Sequence, residues 1–116
     1  MDILEAKMQI RIHKDAWDVV IIDSRDDKMN PGCEYQYMGL CEYNRLQISI
    51  ADDLPASVAR AVVIHELTHA YMSSYGYNIT ESEGICDFFG AHGDEIIAHA
   101  DQIMREVVLN ADHSRD

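Results

Sequence analysis

The sequence has no uninterrupted run of roughly 18 apolar residues, the length that a membrane-spanning helix requires. It also has few basic residues: nine Lys and Arg stand against 21 Asp and Glu, so the formal net charge is −12. A surface this acidic repels phosphate backbones. We therefore expect neither a membrane span nor direct binding to nucleic acid. The apolar fraction of 47% is that of a globular domain, which argues against a disordered chain.

Cysteine is scarce as well. Cys33, Cys41 and Cys86 form no Cys-x-x-Cys pair, and the first ten residues, MDILEAKMQI, do not have the pattern of a signal peptide. An odd number of cysteines without a secretion signal predicts free thiols in a reducing, cytoplasmic compartment. Two alternatives stay open for Cys33 and Cys41: a disulfide between them, or a role of either one as an additional metal ligand.

The most informative stretch reads His65-Glu66-Leu67-Thr68-His69. Two histidines four residues apart lie on the same face of an α-helix, where their imidazoles can bind one Zn²⁺ together. Glu66 follows about 100° further round the helix, where its carboxylate can take a proton from a metal-activated water without binding the metal itself. Pro55 and Gly76 bound the predicted helix, 56–75. The pattern also predicts that the histidines continue an apolar, inward-facing stripe formed with Val58, Val62 and Met72.

A third metal ligand is predicted fourteen residues after His69. Glu83 and Asp87 are again four residues apart, on one face of a second predicted helix. Two histidines and one carboxylate with an open fourth position are typical of catalytic rather than structural zinc sites, and Asp87 would accept the N–H of a ligating histidine. An alternative is a capping box with Thr80, which would hold the Glu83 side chain at the start of its own helix. Glu81 could then be the ligand.

The segment 65–70, HELTHA, followed by Glu-x-x-x-Asp-x-Phe-Gly over 83–90, resembles the gluzincin metallopeptidases. The small size of the chain and the short gap between the two motifs are most similar to the ImmA/IrrE-type minimal metallopeptidases of bacteria and phages. The resemblance is specific from Val58 to Gly90 and general elsewhere. It implies a zincin-like fold, a general base and one Zn²⁺ per chain, with these residues in the site: His65, His69 and Glu83 as ligands, Glu66 as the base and Asp87 in support.

The first half of the chain is predicted to be mainly strands. Apolar and polar residues alternate over 8–12, and the run 17–23 is apolar and β-branched. The segments 35–42 and 46–50 have the pattern of a hairpin. Together these segments predict a small twisted sheet of three or four strands within residues 1–55.

The second half is predicted to be helical. Asp53 is a candidate N-cap for the helix 56–75, and residues 81–111 have helical periodicity. Gly90 and Gly93 are places where this stretch can bend or break. We therefore expect a single α+β domain over 1–116, in which the sheet packs against the zinc helix, a second helix that carries Glu83, and a C-terminal helix. The apolar stripe of the C-terminal helix closes the core or, alternatively, forms the face of a homodimer.

The predicted function is zinc-dependent hydrolysis of peptide bonds in a peptide or protein substrate, with Glu66 as general base. One alternative is a zinc-stabilised binding or regulatory module without turnover, and another is a chance occurrence of the pattern. A tetrahedral oxyanion needs a second donor besides the metal. His92 is a candidate if the glycines bend the chain, and four tyrosines are others: Tyr35, Tyr37, Tyr75 and Tyr77.

Overall fold

The computed structural model describes residues 4–32, 36–78 and 82–109. Within them the chain forms a four-stranded mixed sheet and two helices, so the α+β class is confirmed. The sheet has the order β1-β2-β4-β3. Its strands are β1 Leu4–Ile12, β2 Asp15–Ile22, β3 Gly39–Glu42 and β4 Gln47–Ala51.

Strands β1 and β2 form the antiparallel hairpin that the alternating and β-branched runs predict. Ile12 pairs with Asp15, so the turn consists of His13 and Lys14, and His13 has a φ of 57°. Positive φ is what the tight two-residue turns between antiparallel strands require. Strand β2 then pairs with β4 in parallel, a contact that the sequence pattern did not predict.

Strands β3 and β4 form the second predicted hairpin, with β3 shorter than expected. Its first residue is Gly39 rather than Tyr35, which lies outside the described residues. Among the described strands, β3 has a neighbour on one side alone, so it is an edge of the sheet. Ile48 and Ile50 of β4 are buried in the main core.

Helix α1 spans Ala56–Tyr75, as predicted. It ends at Gly76, whose φ of 74° and N–H contacts to the last carbonyls form a left-handed C-cap. Asp53 is not the N-cap: that position is Pro55, which has no side-chain cap, because two residues separate Asp53 from the first helical turn. The end of α1 is bonded to the sheet, since the Ser74 hydroxyl accepts from Trp17 Nε1 and donates to Asp15, both at 2.8 Å.

The buried face of α1 differs from the predicted one. His65 and His69 are exposed, and so is Val58, whereas Glu66 is only 7% exposed. The prediction of an inward-facing histidine stripe was therefore wrong. The face that packs on the sheet and on the second helix lies about a quarter-turn or more away, and it is formed by Ala59, Val62, Val63, Glu66, Leu67, Ala70 and Tyr71.

Helix α2 spans Ser82–Ile103 and continues as a π-helical segment, Met104–Val108. It passes through Gly90 and Gly93 without a break, so the expected separation into a Glu83 helix and a C-terminal helix was wrong. The helix continues through both glycines because a single buried apolar stripe runs along it, and the packing of this stripe stabilises one continuous helix. The residues of this stripe close the core, as one of the two alternatives predicted. They are Phe88, Ile96, Ala100, Ile103 and Val107. In the part of the chain that the structure describes, no helix is long and apolar enough to cross a membrane.

Candidate metal centre

His65 and His69 lie side by side on the exposed surface of α1. Their ring centroids are 4.9 Å apart and the ring planes are inclined at 71°. Burial lowers the pKa of His69, and the charge of His65 adds a smaller effect in the same direction. The imidazole of His69 is therefore neutral at physiological pH. A neutral imidazole has a free lone pair, which is what binding to a metal ion requires.

Glu66 is buried between α1 and the edge strand β3. A Cβ atom on Gly39 would lie 3.0 Å from both Cγ and Oε2 of Glu66, so the backbone of β3 rests directly on this carboxylate. No described residue donates a hydrogen bond to it. Burial raises the pKa of Glu66, and the nearby His65 opposes that rise. The fold thus keeps a buried carboxylate, to which no described residue donates a hydrogen bond, next to a histidine pair, although such burial costs stability.

Strand β3 and the turn after it supply the rest of the site. Side chains alternate along a strand, so Gly39 and Cys41 face α1, and Tyr43 follows in the same direction. The Tyr43 hydroxyl lies 3.4 Å from Nδ1 of His69. Burial raises the pKa of the Cys41 thiol to about 12, with Glu66 and Glu42 adding to the effect. Cys41 is therefore a protonated, half-buried thiol, and it is free rather than in a disulfide. Cys33 lies outside the described residues.

The predicted ligand Glu83 and its neighbour Asp87 lie in a different place. Both are exposed on the first turns of α2, where Phe88 is the first buried residue. Cys86 of the same helix is exposed too. Thr80 and Glu81, on which the alternative reading of the third ligand depends, lie outside the described residues.

The pairing of the two helices explains this position. They run antiparallel, with Arg60 bonded to Asp101 at 2.7 Å and the ring of Tyr75 against that of His92 at 4.4 Å. Glu83 is nine residues before His92, about 14 Å further along α2 and past the end of α1. His69 is six residues before Tyr75, about 9 Å in the opposite direction. The axial separation of Glu83 from His69 is therefore about 23 Å.

The donor set can now be compared with what a zinc ion requires. Two histidines on one face and a carboxylate beside them fit two ligands and a general base of a catalytic site. Over residues 4–32, 36–78 and 82–109, no three side chains of His, Cys, Asp or Glu converge closely enough to hold a metal ion. The described residues bring two of the three predicted ligands together, His65 and His69, and Glu83 as the third ligand stays a prediction.

His92, the predicted oxyanion donor, is part of an aromatic cluster. It is 9% exposed, its Nε2 lies 3.0 Å from the Tyr77 hydroxyl, and its Nδ1 has no hydrogen-bond partner. The rings of Tyr75 and Phe88 also pack against it. None of its described contacts is with His65 or His69. Its role as a donor also stays a prediction.

A groove of about 310 Å³ begins at His69 and follows the end of α1. The described part of its lining has no Lys, Arg, Asp or Glu. The described residues that form it are Tyr43, His69, Met72, Ser73, Tyr77 and Asn78. Tyr77 was one of the tyrosines named as candidate donors, but Tyr43 was not. The signal that could have found Tyr43 is the period-two placement of Gly39, Cys41 and Tyr43 on the strand side that faces α1.

Comparison of the chain with protein-family models, with curated proteins and with solved structures finds no match.

Proposed function

We propose that this protein is a zinc-dependent peptidase of the gluzincin type, with a minimal zincin-like fold similar to that of the ImmA/IrrE-type metallopeptidases. The observation that carries the proposal is Glu66, a buried carboxylate to which no described residue donates a hydrogen bond, one residue from an exposed His65 and three from His69. A purely structural helix would place an apolar residue at that position, because an unpaired buried carboxylate destabilises the fold.

The histidines would hold the ion. His65 and His69 offer their nitrogens on the open surface of α1, so a substrate can reach an ion bound there. Zinc, when bound, supplies Lewis acidity that polarises a peptide carbonyl and acidifies water. The third protein ligand is proposed to be a carboxylate at the start of α2, Glu83 or Glu81, which requires this segment to approach His69 more closely than Glu83 does in the described arrangement.

Glu66 is the proposed general base. Its carboxylate takes a proton from the attacking water, the hydroxide oxygen adds to the peptide carbonyl carbon, and the bond to nitrogen breaks. The same carboxyl group then returns the proton to the leaving amine. The raised pKa of Glu66 suits this exchange, because a base with a pKa nearer to neutrality both accepts and releases a proton readily.

Substrate would lie along β3. This strand is an edge of the described sheet, so its free backbone groups can pair with an extended peptide by strand addition. Gly39 and Cys41 run beside Glu66, which brings the backbone of a paired peptide to the base. The groove next to His69 would receive one substrate side chain, and its lining favours an uncharged one.

The test is zinc stoichiometry and peptidase rate, measured side by side for the wild type and for Glu66→Gln. We expect one zinc per chain in both proteins. We also expect the variant to hydrolyse a denatured-protein substrate about 10²–10⁴-fold more slowly, the usual contribution of a positioned general base. The control is Glu106→Gln, which removes an exposed carboxylate from the C-terminal segment. It should change neither quantity.

Two outcomes contradict parts of the proposal. Loss of zinc from Glu66→Gln would make Glu66 a ligand rather than a base. Zinc binding by the wild type without hydrolysis of any substrate in a broad peptide mixture would favour the alternative, a zinc-stabilised binding module. A wild-type protein that binds no zinc at all would overturn both.

A further inference from the structure

Tyr43 is the residue of the edge hairpin that reaches the histidine pair. It follows β3 in the turn before β4, and its ring is 51% exposed. Its hydroxyl lies 3.4 Å from His69 Nδ1. A tyrosine hydroxyl is protonated at neutral pH, so it offers one O–H donor and two acceptor lone pairs.

The partner of Nδ1 decides which nitrogen of His69 is available. A neutral imidazole has one N–H and one lone pair, and the hydrogen bond made by one nitrogen sets the state of the other. If the proton is on Nδ1, Nε2 has the lone pair. Histidines that bind metals commonly donate their second N–H to an acceptor in this way, which also fixes the orientation of the ring.

We propose that Tyr43 is a positioning residue for His69: its hydroxyl oxygen accepts the Nδ1–H of His69 and so keeps the Nε2 lone pair free for a metal ion. The direction of the hydrogen bond and its effect on the metal rest on the proposed function, and the contact between the Tyr43 hydroxyl and His69 Nδ1 does not. The 3.4 Å separation is longer than the usual 2.7–3.2 Å for N–H···O. The effect on metal affinity should therefore be at the low end of the 10–100-fold range for such partners, about 10-fold.

The geometry selects Tyr43 over the other tyrosine at the groove. The hydroxyl of Tyr77 lies 3.0 Å from His92 Nε2, so it is engaged away from His69. Within the described residues, Tyr43 is the one whose hydroxyl contacts a motif histidine. Because its ring is half exposed, Tyr43→Phe removes the hydroxyl without opening a cavity in the core.

The first measurement is the tautomer of His69 in ¹⁵N-labelled protein without metal, in a chelator at a pH of about 8, where histidines are neutral. Long-range ¹H–¹⁵N spectra distinguish the two tautomers, and His69→Gln identifies the resonances. We expect the Nδ1–H tautomer in the wild type and a shift toward Nε2–H in Tyr43→Phe. The second measurement is zinc affinity by chelator competition, which should fall about 10-fold in Tyr43→Phe.

The matched control is Tyr75→Phe. Tyr75 is on α1 with His69, its ring stacks on His13, and no described residue hydrogen-bonds its hydroxyl. This variant should change neither the tautomer nor the zinc affinity. The proposal is overturned if wild-type His69 has its proton on Nε2, or if Tyr43→Phe leaves the tautomer unchanged. The expected tautomer shift in a protein that binds no zinc would support the Tyr43 contact and overturn the proposed function, so the two fail separately.

Discussion

The middle of α1 and the start of α2 have the same local pattern and opposite surroundings. His65 and His69 are four residues apart on one helix, and Glu83 and Asp87 are four apart on the other. The first pair lies beside a buried carboxylate and the edge strand β3, whereas the second is exposed past the end of α1. Spacing along a helix is a local property that any helix provides. The axial register of two helices is a tertiary property, and here it separates the pairs.

The sharpest test of this difference is the zinc affinity of alanine variants. His65→Ala and His69→Ala each remove a nitrogen ligand and should weaken zinc binding by more than about 100-fold, the upper limit for outer-shell residues. If α2 keeps its described place when zinc binds, Glu83→Ala stays within about threefold of the wild type and Glu83 is not the third ligand, because Glu83 is then about 23 Å from His69 along the helix axes. Chelator competition measures all three variants.

A fall in Glu83→Ala as large as that in His69→Ala would reverse the comparison. It would show that the start of α2 reaches the histidine pair when zinc is bound, and that Glu83 is the ligand that the sequence predicts. Asp87→Asn provides the internal control. Replacing an aspartate that supports a ligating histidine lowers the metal affinity by about 10–100-fold, whereas replacing an exposed aspartate leaves it almost unchanged.

Cysteine reactivity compares the same two regions without any metal. The thiol of Cys41 has a pKa of about 12 and is half-buried, whereas Cys86 is exposed on α2. At pH 8 a pKa of about 12 leaves roughly 10³-fold less thiolate than an ordinary pKa of about 8.5. The higher intrinsic nucleophilicity of such a thiolate offsets part of this, so we expect iodoacetamide to modify Cys41 about 100-fold more slowly than Cys86.

Peptide mass spectrometry at timed intervals gives both rates from one sample. The Cys41 rate should continue to rise up to a pH of about 12, because its thiolate fraction grows through that range. Equal rates at pH 8 would mean that α1 does not cover Cys41, and that the edge strand β3 does not lie against Glu66 as described.

The extent to which the sequence predicted the structure follows the same division into local and tertiary features. The end of α1 at Gly76 and the hairpin of β3 and β4 are local features, and both are confirmed. The parallel pairing of β2 with β4 joins segments separated by a long connection, which periodicity does not reveal. The continuity of α2 through Gly90 depends on its buried stripe, and this packing outweighs the weak helix propensity of glycine.

The candidate site divides in the same way. The relative placement of His65, Glu66 and His69 follows from helix geometry and needs no tertiary information. Predicting which side of α1 is buried does need tertiary information. This prediction was wrong because the histidines were counted with the apolar stripe. Tyr43 is 26 residues from His69 in sequence, so only the packing of the β3–β4 turn on α1 brings them together.

The close approach of β3 to α1 should be sensitive to a single methyl group. A Cβ on Gly39 would lie 2.5 Å from Val62 Cγ1 and 3.0 Å from Glu66 Cγ, closer than such atoms pack. Gly39→Ala should therefore destabilise the protein by about 1–3 kcal/mol, the usual cost of overpacking. Gly32→Ala is the matched control, because a Cβ there would meet nothing within 4 Å. Urea unfolding compares them, and equal stabilities would contradict the described contact.

The smallest expected effect is a gain in stability on replacing the proposed base. In metal-free protein Glu66→Gln replaces a buried carboxylate, to which no described residue donates a hydrogen bond, with a neutral amide, and we expect an increase of about 1 kcal/mol in the free energy of unfolding at pH 7. The sign follows from the direction of the pKa shift. Burial raises the folded-state pKa of Glu66 above its unfolded value, so the unfolded chain loses its proton first as the pH rises.

The pKa of Glu66 in the unfolded chain is about 4, so above that pH the free energy of unfolding of the wild type should fall relative to that of Glu66→Gln. The difference should become constant once the pH exceeds the raised pKa of Glu66 in the folded protein. His65 and Cys41 face the same carboxylate, and protonated His65 reduces the penalty at acidic pH. Urea unfolding of both proteins in chelator between pH 4 and pH 8 measures this difference. A difference that does not depend on pH would show that Glu66 is not desolvated. A wild type more stable than the variant at pH 7 would show that the carboxylate has a partner after all.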